Sequence, residues 1–136
     1  MRKPDFIVHN AHGPYLSRWY LIPRNRWLNV YLHRFDGSDE DQALHDHPWT
    51  SLSVMLKGEL VEVTEQGRKA ILAGDIRFRR PSFAHRLEHV GITTWTLFIT
   101  GPRVREWGFH CPNGWRHWQD FTDARDSGRV GRGCAE

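Results

Sequence analysis

Two histidines one residue apart, His45 and His47, are the residues in this chain best suited to chemistry. They lie in "LHDHPWTSLSVMLKG", where an apolar run typical of a strand begins shortly after them. Side chains alternate along a strand, so positions i and i+2 point to the same face. Two imidazoles on one face suit a shared metal ion. The alternative is that both make hydrogen bonds within a loop and bind no metal.

A third candidate ligand, His85, ends the segment "GDIRFRRPSFAH", which is typical of a turn, a strand and a proline. A metal held by three imidazoles keeps positions open for water and substrate, as catalytic sites do. Such a set fits Fe(II), Zn(II), Mn(II), Ni(II) or Cu(II), and the sequence does not choose among these divalent transition metals. His89 is a reserve candidate, because four positions along a strand or loop do not imply a shared face.

Arginine makes up almost all of the basic side chains, with sixteen Arg against three Lys. Its planar guanidinium favours bidentate recognition of carboxylate or phosphate. We therefore expect a small anionic substrate or ligand, contacted by an aromatic wall and by arginines near the histidine segments. These candidates are Trp49, Arg77, Arg79, Arg103 and Arg105. For each arginine taken singly, the alternative is solvent exposure or pairing with the acidic loop at residues 39–41.

Carboxylates that could act as a general base are few near these segments. Glu106 shares a face with His110 if residues 106–110 form a strand, and it is the catalytic residue that we predict. The acidic loop Asp39-Glu40-Asp41 is the second source of carboxylates. The alternative for Glu106 and His110 is a place at the rim of a dimer.

Strand signals dominate the elements that must position these residues, and helical periodicity is nearly absent. The predicted strands cover residues 15–23, 27–35, 50–58, 59–67, 68–72, 73–81, 93–102 and 103–110. Residues 114–121 form either a final strand or a short helix. Short strands with a turn about every 8–12 residues predict an all-β, antiparallel sandwich or barrel. We predict one domain over residues 1–121 and a flexible, charged, glycine-rich tail over residues 122–136.

The strand that follows the histidines carries Leu52, Val54 and Leu56 on the face opposite His47. If the histidine face lines the interior of a barrel, this apolar face needs cover from outside. A second copy of the chain is the simplest cover, so we predict a homodimer.

Bulk composition narrows the class of protein. With 136 residues, 39% hydrophobic and 26% charged, the chain fits one globular domain, and a net charge of +3 argues against a strong polyanion binder. Trp and Arg could suit base stacking, but no basic run or known motif supports nucleic acid as a partner. No apolar run approaches the roughly 20 residues of a membrane helix, and the N-terminus lacks the apolar core of a signal peptide.

The two cysteines, Cys111 and Cys134, give no disulfide framework. Because the second lies in the glycine-rich tail, we predict no native bridge between them, which fits a reducing compartment. The predicted location is therefore the cytoplasm, without a membrane partner.

The two histidine segments resemble the motifs of the cupin superfamily. "HDHPWTSLSVMLKG" resembles the first motif, G-x5-H-x-H-x3,4-E-x6-G, and "GDIRFRRPSFAH" resembles the second, G-x5-P-x-G-x2-H-x3-N. The resemblance spans about residues 18–121 and is to small single-domain cupins of the sort often encoded by bacteriophages. It implies an antiparallel jelly-roll β-barrel, with metal ligands at His45, His47 and His85 and with Gly58 closing the first motif.

The chain departs from the cupin pattern at two places. Ser51 and Leu52 stand where the first motif has its glutamate, so the usual fourth ligand is missing. The Pro-x-Gly of the second motif becomes Pro81-Ser82-Phe83, one residue shorter before the histidine. Within the cupins, three-histidine sites resemble those of thiol and diketone dioxygenases.

Two hypotheses about function follow. The first is a metal-dependent enzyme that acts on a small anionic substrate by oxygenation, isomerisation or lyase chemistry. The second is a non-catalytic cupin that binds and sequesters a small nucleotide-like or sugar-like ligand, for example a host signalling molecule. The paired histidines favour the first hypothesis, and the missing glutamate favours the second or a three-histidine dioxygenase. Fold alone does not decide between them.

Overall fold

The computed structural model describes residues 1–10, 12–39 and 43–134, with the backbone alone for residues 126–128. Strands hold 54% of the residues and helix 3%, so the all-β prediction is confirmed. The elements are β1 (Phe6–Asn10), β2 (Gly13–Tyr20), β3 (Asn29–Phe35), β4 (Leu44–His45), β5 (Ser51–Lys57), β6 (Glu59–Thr64), β7 (Gly67–Leu72), β8 (Ile76–Arg79), β9 (Arg86–His89), β10 (Thr94–Thr100), β11 (Gly108–Cys111), β12 (Gly114–His117), α1 (Trp118–Phe121), β13 (Thr122–Asp123) and β14 (Asp126–Val130). Within the described part of the chain, no helix is both long and apolar enough to span a membrane.

The largest sheet has six antiparallel strands in the order β1-β2-β3-β10-β5-β8. Two three-stranded sheets, β7-β6-β9 and β12-β11-β4, and the hairpin β13-β14 complete the fold. Strand pairing among the described residues does not close these sheets into a barrel, but the arrangement is consistent with a jelly roll. The predicted antiparallel jelly-roll class is therefore confirmed.

The side chains of strand β5 alternate between the cavity and the outer face, as its sequence predicts. Ser51 and Ser53 face the interior cavity and pair in register with Arg79 and Arg77 of β8. Leu52, one position along, points outward. Because β5 sits between β10 and β8, its inward face lies on the cavity wall directly after the histidine segment.

Apolar side chains from the six-stranded sheet and from the sheet β7-β6-β9 meet to form the core next to this cavity. Its buried members are Phe35, Met55, Leu60 and Ile71, with Leu16 and Leu87 packed against them. Gly58 makes the turn between β5 and β6 with φ of 94°, a conformation that favours glycine, and a Cβ there would collide with Thr94. The glycine that closes the first motif is thus required by the backbone.

The segment after residue 121 contains regular structure that its composition did not indicate. Strands β13 and β14 pair with each other, and β14 packs beside β1. The carbonyl of Phe121 accepts hydrogen bonds from the amides of Gly131 and Gly133 at 3.0 and 2.9 Å. The domain boundary at residue 121 stays a prediction, while the tail has a hairpin that sequence reasoning missed.

Cys111, at the end of β11, and Cys134 form a disulfide, with their Cα atoms 5.6 Å apart. The prediction of no bridge was wrong, because the C-terminal hairpin returns the chain to β11. Disulfides persist mainly in oxidising compartments. The cysteines therefore give no support to a cytoplasmic location.

Replacing both cysteines with serine is expected to lower the free energy of unfolding by about 3 kcal/mol, because the bridge restrains a long loop of the unfolded chain. The bridged residues are 23 positions apart. Denaturant unfolding of the oxidised wild type and of the double variant measures the difference. Reductant should weaken the wild type and leave the variant unchanged. Equal unfolding free energies would show that the bridge restrains nothing.

Candidate metal centre

The three predicted ligands come together on the cavity wall. His45 ends β4, and its amide and carbonyl exchange hydrogen bonds of 2.8 and 3.0 Å with those of His85, just before β9. His47 lies two residues beyond His45. The centroids of the three imidazole rings are 5.0 to 5.1 Å apart. One ligand nitrogen from each ring lies within 4.8 Å of the others, a grouping that could hold one metal ion.

Glu62 of β6 orients His85, and sequence reasoning missed it. Its carboxylate lies 2.6 Å from His85 Nδ1, which leaves the other ring nitrogen, Nε2, to serve as the ligand. The same carboxylate accepts hydrogen bonds from Arg79, whose Nη2 and Nε lie 2.6 and 2.8 Å away. Burial alone would raise the pKa of Glu62, but the His85 hydrogen bond and the Arg79 charge outweigh it and lower that pKa to about 2. An ionised carboxylate therefore supports the imidazole.

The paired histidines are held in the neutral form that coordinates metal. Burial lowers the pKa of His45 to about 4. Burial also lowers the pKa of His47 well below its ordinary value, and electrostatic repulsion between it and the neighbouring His45 and His85 rings adds to this. Nδ1 of His45 and Nδ1 of His47 are buried and have no hydrogen-bond partner among the described residues. Nitrogens that no protein atom satisfies, on rings kept neutral, fit a metal centre.

Asp46 fixes the backbone between the two histidines from the opposite side. It is buried, and its carboxylate accepts hydrogen bonds from the Gly108 amide at 2.8 Å and from Trp115 Nε1 at 3.0 Å. His110 Nε2 lies 3.0 Å from the same carboxylate. Alternation puts Asp46 on the other face from its neighbours, so this cluster anchors the segment that carries His45 and His47 to β11 and β12.

Arg105 belongs to that anchor and not to the cavity. Its Nη1 lies 3.1 Å from Asp46 Oδ1 and donates to the carbonyls of His47 and Pro81 at 3.3 and 3.2 Å. It is absent from the described residues that line the cavity. We predicted that Arg105 contacts a substrate. In the structure it instead joins the segment that carries His47 to the segment that carries Pro81.

The cavity beside the histidines has a volume of about 490 Å³. Trp49 lines it as the predicted aromatic wall, stacked on His47 at a centroid distance of 5.1 Å. Arg77 also lines it, with a long contact of 3.5 Å to Asp75. Arg79 lines it, but its guanidinium is engaged by Glu62 and by Ser53.

Glu106 does not belong to the cluster of His45, His47 and His85. Its side chain is 58% exposed and pairs with Arg103 and His117 on the surface, and it is absent from the described lining of the cavity. Arg103 borders the cavity but is likewise exposed and paired with Glu106. Only residues 108–110 of the predicted strand 103–110 lie in a strand, β11, so the alternation that would have turned Glu106 inward does not apply.

Of the acidic loop and the reserve histidine His89, only Asp39 is placed at the cavity by the described structure. Asp39 lines the cavity, where its carboxylate accepts a hydrogen bond from the Leu87 amide at 2.8 Å. Glu40 and Asp41 lie outside the described residues. His89 is partly buried on β9 and is not a member of the three-histidine cluster.

The metal-free protein is expected to lose stability as pH falls from about 6.5 toward 4. His33, His45 and His47 have lowered pKa values in the fold, chiefly through burial, whereas an unfolded chain protonates them near pH 6.5. The unfolded state then binds more protons, so each histidine costs about 1.4 kcal/mol per pH unit in that window. Urea unfolding of chelator-treated protein at several pH values measures this. A free energy that stays constant between pH 7 and pH 5 would contradict the burial of these rings.

Sequence comparison with known proteins identifies no relative: no family model matches the chain, and no curated protein matches it. Solved structures do match. A sugar phosphate isomerase of the cupin superfamily from Silicibacter pomeroyi is 16% identical with a TM-score of 0.55, covering 74% of each chain. A cupin superfamily protein from Desulfitobacterium hafniense is 15% identical with a TM-score of 0.55, covering 75% of this chain and 83% of that one.

The third neighbour is a DMSP lyase, DddQ, from Ruegeria pomeroyi, 17% identical with a TM-score of 0.54. The alignment covers 64% of this chain and 47% of the lyase. Likeness at this level of identity concerns the fold and carries over no activity. These neighbours, together with the observed strand order, lead to the conclusion that this chain adopts the fold of the cupin superfamily.

Proposed function

We propose that this chain is a metal-binding cupin in which His45, His47 and His85 hold one divalent transition metal ion beside a small anionic substrate. The observation that carries the proposal is the convergence of three imidazoles, one of them fixed by buried Glu62, on the wall of a cavity of small-molecule size. Bound there, the ion would polarise a carbonyl or phosphoryl oxygen of the substrate as a Lewis acid.

Three side chains of the cavity have roles toward the substrate. Trp49 offers a flat surface next to the ligands. Arg77 offers a guanidinium whose contact with Asp75 is long, so it is available to an anion. Asp39 replaces Glu106 as the proposed general base, because it is a carboxylate on the cavity wall and its charge acts on His45.

The neighbours narrow the type of reaction that we propose. Oxygenation, isomerisation and elimination are all compatible with three histidine ligands and open positions. One structural neighbour is described as a sugar phosphate isomerase and another as a DMSP lyase. These descriptions support isomerisation or elimination ahead of oxygenation.

The test is turnover by metal-loaded and chelator-treated protein against a panel of sugar phosphates and small carboxylates. The proposal expects at least one substrate to be consumed, with activity lost on chelation and regained with metal. Calorimetry on the same panel distinguishes an enzyme from a protein that only binds its ligand. A protein that binds a panel member tightly and never converts it would instead sequester its ligand, as the second hypothesis from the sequence holds.

A homodimer through the outer face of the six-stranded sheet is part of the same proposal. Leu56, Ile76 and Phe78 are 50%, 60% and 67% exposed there. Leu52 pairs in register with Phe78, and Val54 with Ile76, so the five side chains form one continuous apolar surface. Adjacent exposed apolar residues of this kind favour a partner, and a second copy would bury the same surface twice.

Replacing Phe78 with glutamate is expected to convert the dimer to a monomer, because the charge would be buried at the centre of the contact. Light scattering coupled to size-exclusion chromatography measures the mass. Val104→Glu is the matched control, since Val104 is 66% exposed in the loop between β10 and β11. A wild-type mass of 16 kDa at micromolar concentration would contradict the dimer.

A further inference from the structure

A row of aromatic rings runs along the cavity wall away from the metal centre. Trp49 stacks on His47 and meets Phe98 edge-on at a centroid distance of 5.5 Å. Phe98 in turn stacks on His33 at 5.1 Å. All four residues line the cavity. The row therefore links a metal ligand on one strand segment to the inward face of β3, and it offers a flat apolar surface along the way.

Arg18 stands at the far end of this row. It pairs in register with His33, and its Nε donates to His33 Nε2 at 2.9 Å. Its guanidinium carbon lies 4.5 Å from the centroid of the Tyr31 ring. This stacking and the single hydrogen bond orient the guanidinium plane, while no protein acceptor among the described residues binds its two Nη groups.

Arg18 differs from the four arginines named above in having no anionic partner among the described residues. The ion pairs are Arg77 with Asp75, Arg79 with Glu62, Arg103 with Glu106 and Arg105 with Asp46. No described carboxylate lies within 4.0 Å of Arg18. Burial lowers the pKa of Arg18, because its charge is partly withheld from water. A partly buried guanidinium with a free fork matches the geometry of a carboxylate or phosphate.

We propose that Arg18 binds the anionic group of the substrate, a carboxylate or a phosphate monoester, whose flat or apolar body lies along Trp49 and Phe98 toward the histidines. His33 is a positioning residue, because its Nε2 accepts from Arg18 and fixes the guanidinium. The inference rests on the proposed metal centre only in placing the reacting end of the substrate there. Anion recognition by Arg18 stands or fails independently of the metal.

The experiment titrates benzoate and phenyl phosphate into chelator-treated protein by calorimetry, with Trp fluorescence as a second readout. Benzyl alcohol is the uncharged comparison.

Arg18→Gln is expected to weaken binding of the anionic probe about 10- to 100-fold, the effect of losing a charge-assisted pair. Arg26→Gln is the matched control, since Arg26 is exposed, stacks on Trp27 and does not line the cavity in the described structure. It should leave binding unchanged. Preference for one probe distinguishes a carboxylate from a phosphate.

Arg18→Lys is a second variant in case Arg18→Gln does not fold. It keeps the positive charge but loses the paired N–H donors of the guanidinium. A several-fold loss with this variant supports bidentate recognition. Unchanged affinity in a folded Arg18 variant, equal binding of benzyl alcohol, or no binding of either anion to the wild type would overturn the inference. Metal titration of the same proteins shows a failure of the metal centre separately, because Arg18 variants should bind Zn(II) as the wild type does.

Discussion

Replacing Glu62 with alanine is expected to destabilise the fold by about 3–5 kcal/mol, because it leaves the buried charge of Arg79 without a partner. The carboxylate now accepts from Arg79 at 2.6 and 2.8 Å, and all three residues of the Arg79–Glu62–His85 cluster are buried. His85 would also lose the group that fixes its ring. A further loss of about 10- to 100-fold in metal affinity is expected from that change.

Urea unfolding and metal titration of the same variant measure the two effects. Glu62→Gln keeps the shape and one acceptor but removes the charge, so it should lie between wild type and alanine. Glu88→Ala is the matched control on the same sheet, since Glu88 of β9 pairs with Arg68 and Arg86 near the surface. Exposed pairs contribute little to stability. If Glu62→Ala costs no more than Glu88→Ala, the buried cluster does not support the fold as described.

The grouping of His45 and His47 could be predicted from the sequence because local geometry determines it. The i, i+2 spacing of His45 and His47 suffices to put both rings on one face. The alternation along β5 likewise predicts its apolar outer face, which the structure leaves exposed at Leu56. The jelly-roll class follows from repeated short strands and from the cupin motifs.

The partners of the charged side chains could not be predicted, because they depend on strands far apart in the sequence. Alternation put Arg77 and Arg79 on the face opposite Ile76 and Phe78, but it could not show that Glu62, 17 positions away, would engage Arg79. Arg105 meets Asp46 from 59 positions away, through the pairing of β4 with β11. The one available signal was Glu62 itself, an acidic residue two positions from Leu60 and therefore on the same face of the strand as that apolar side chain.

The disulfide and the C-terminal hairpin were missed for a related reason. The composition of residues 122–136 resembles that of disordered segments, which can bury little apolar surface. Here a neighbouring strand, a helix end and Cys111 supply the contacts that the segment lacks on its own. Composition describes the segment alone and not the surface against which it packs.

Replacing His45 with alanine is expected to weaken metal binding on the order of 100-fold or more, because one of three protein ligands is removed. The sheet should remain folded, since His45 lies at the edge of the cavity on a two-residue strand and is not part of the apolar core. His47→Ala should behave in the same way. His89→Ala is the control, because it removes the same side chain from a partly buried position outside the cluster.

The most direct test of the account is a competition titration of Zn(II) and Fe(II) against a chromophoric chelator, under reducing conditions for iron, with wild type, His45→Ala and His89→Ala. We predict one tight site per chain in the wild type and in His89→Ala, and its loss in His45→Ala with the fold intact by circular dichroism. Full metal binding by a folded His45→Ala variant, or a wild-type protein that binds neither metal, would contradict the metal centre.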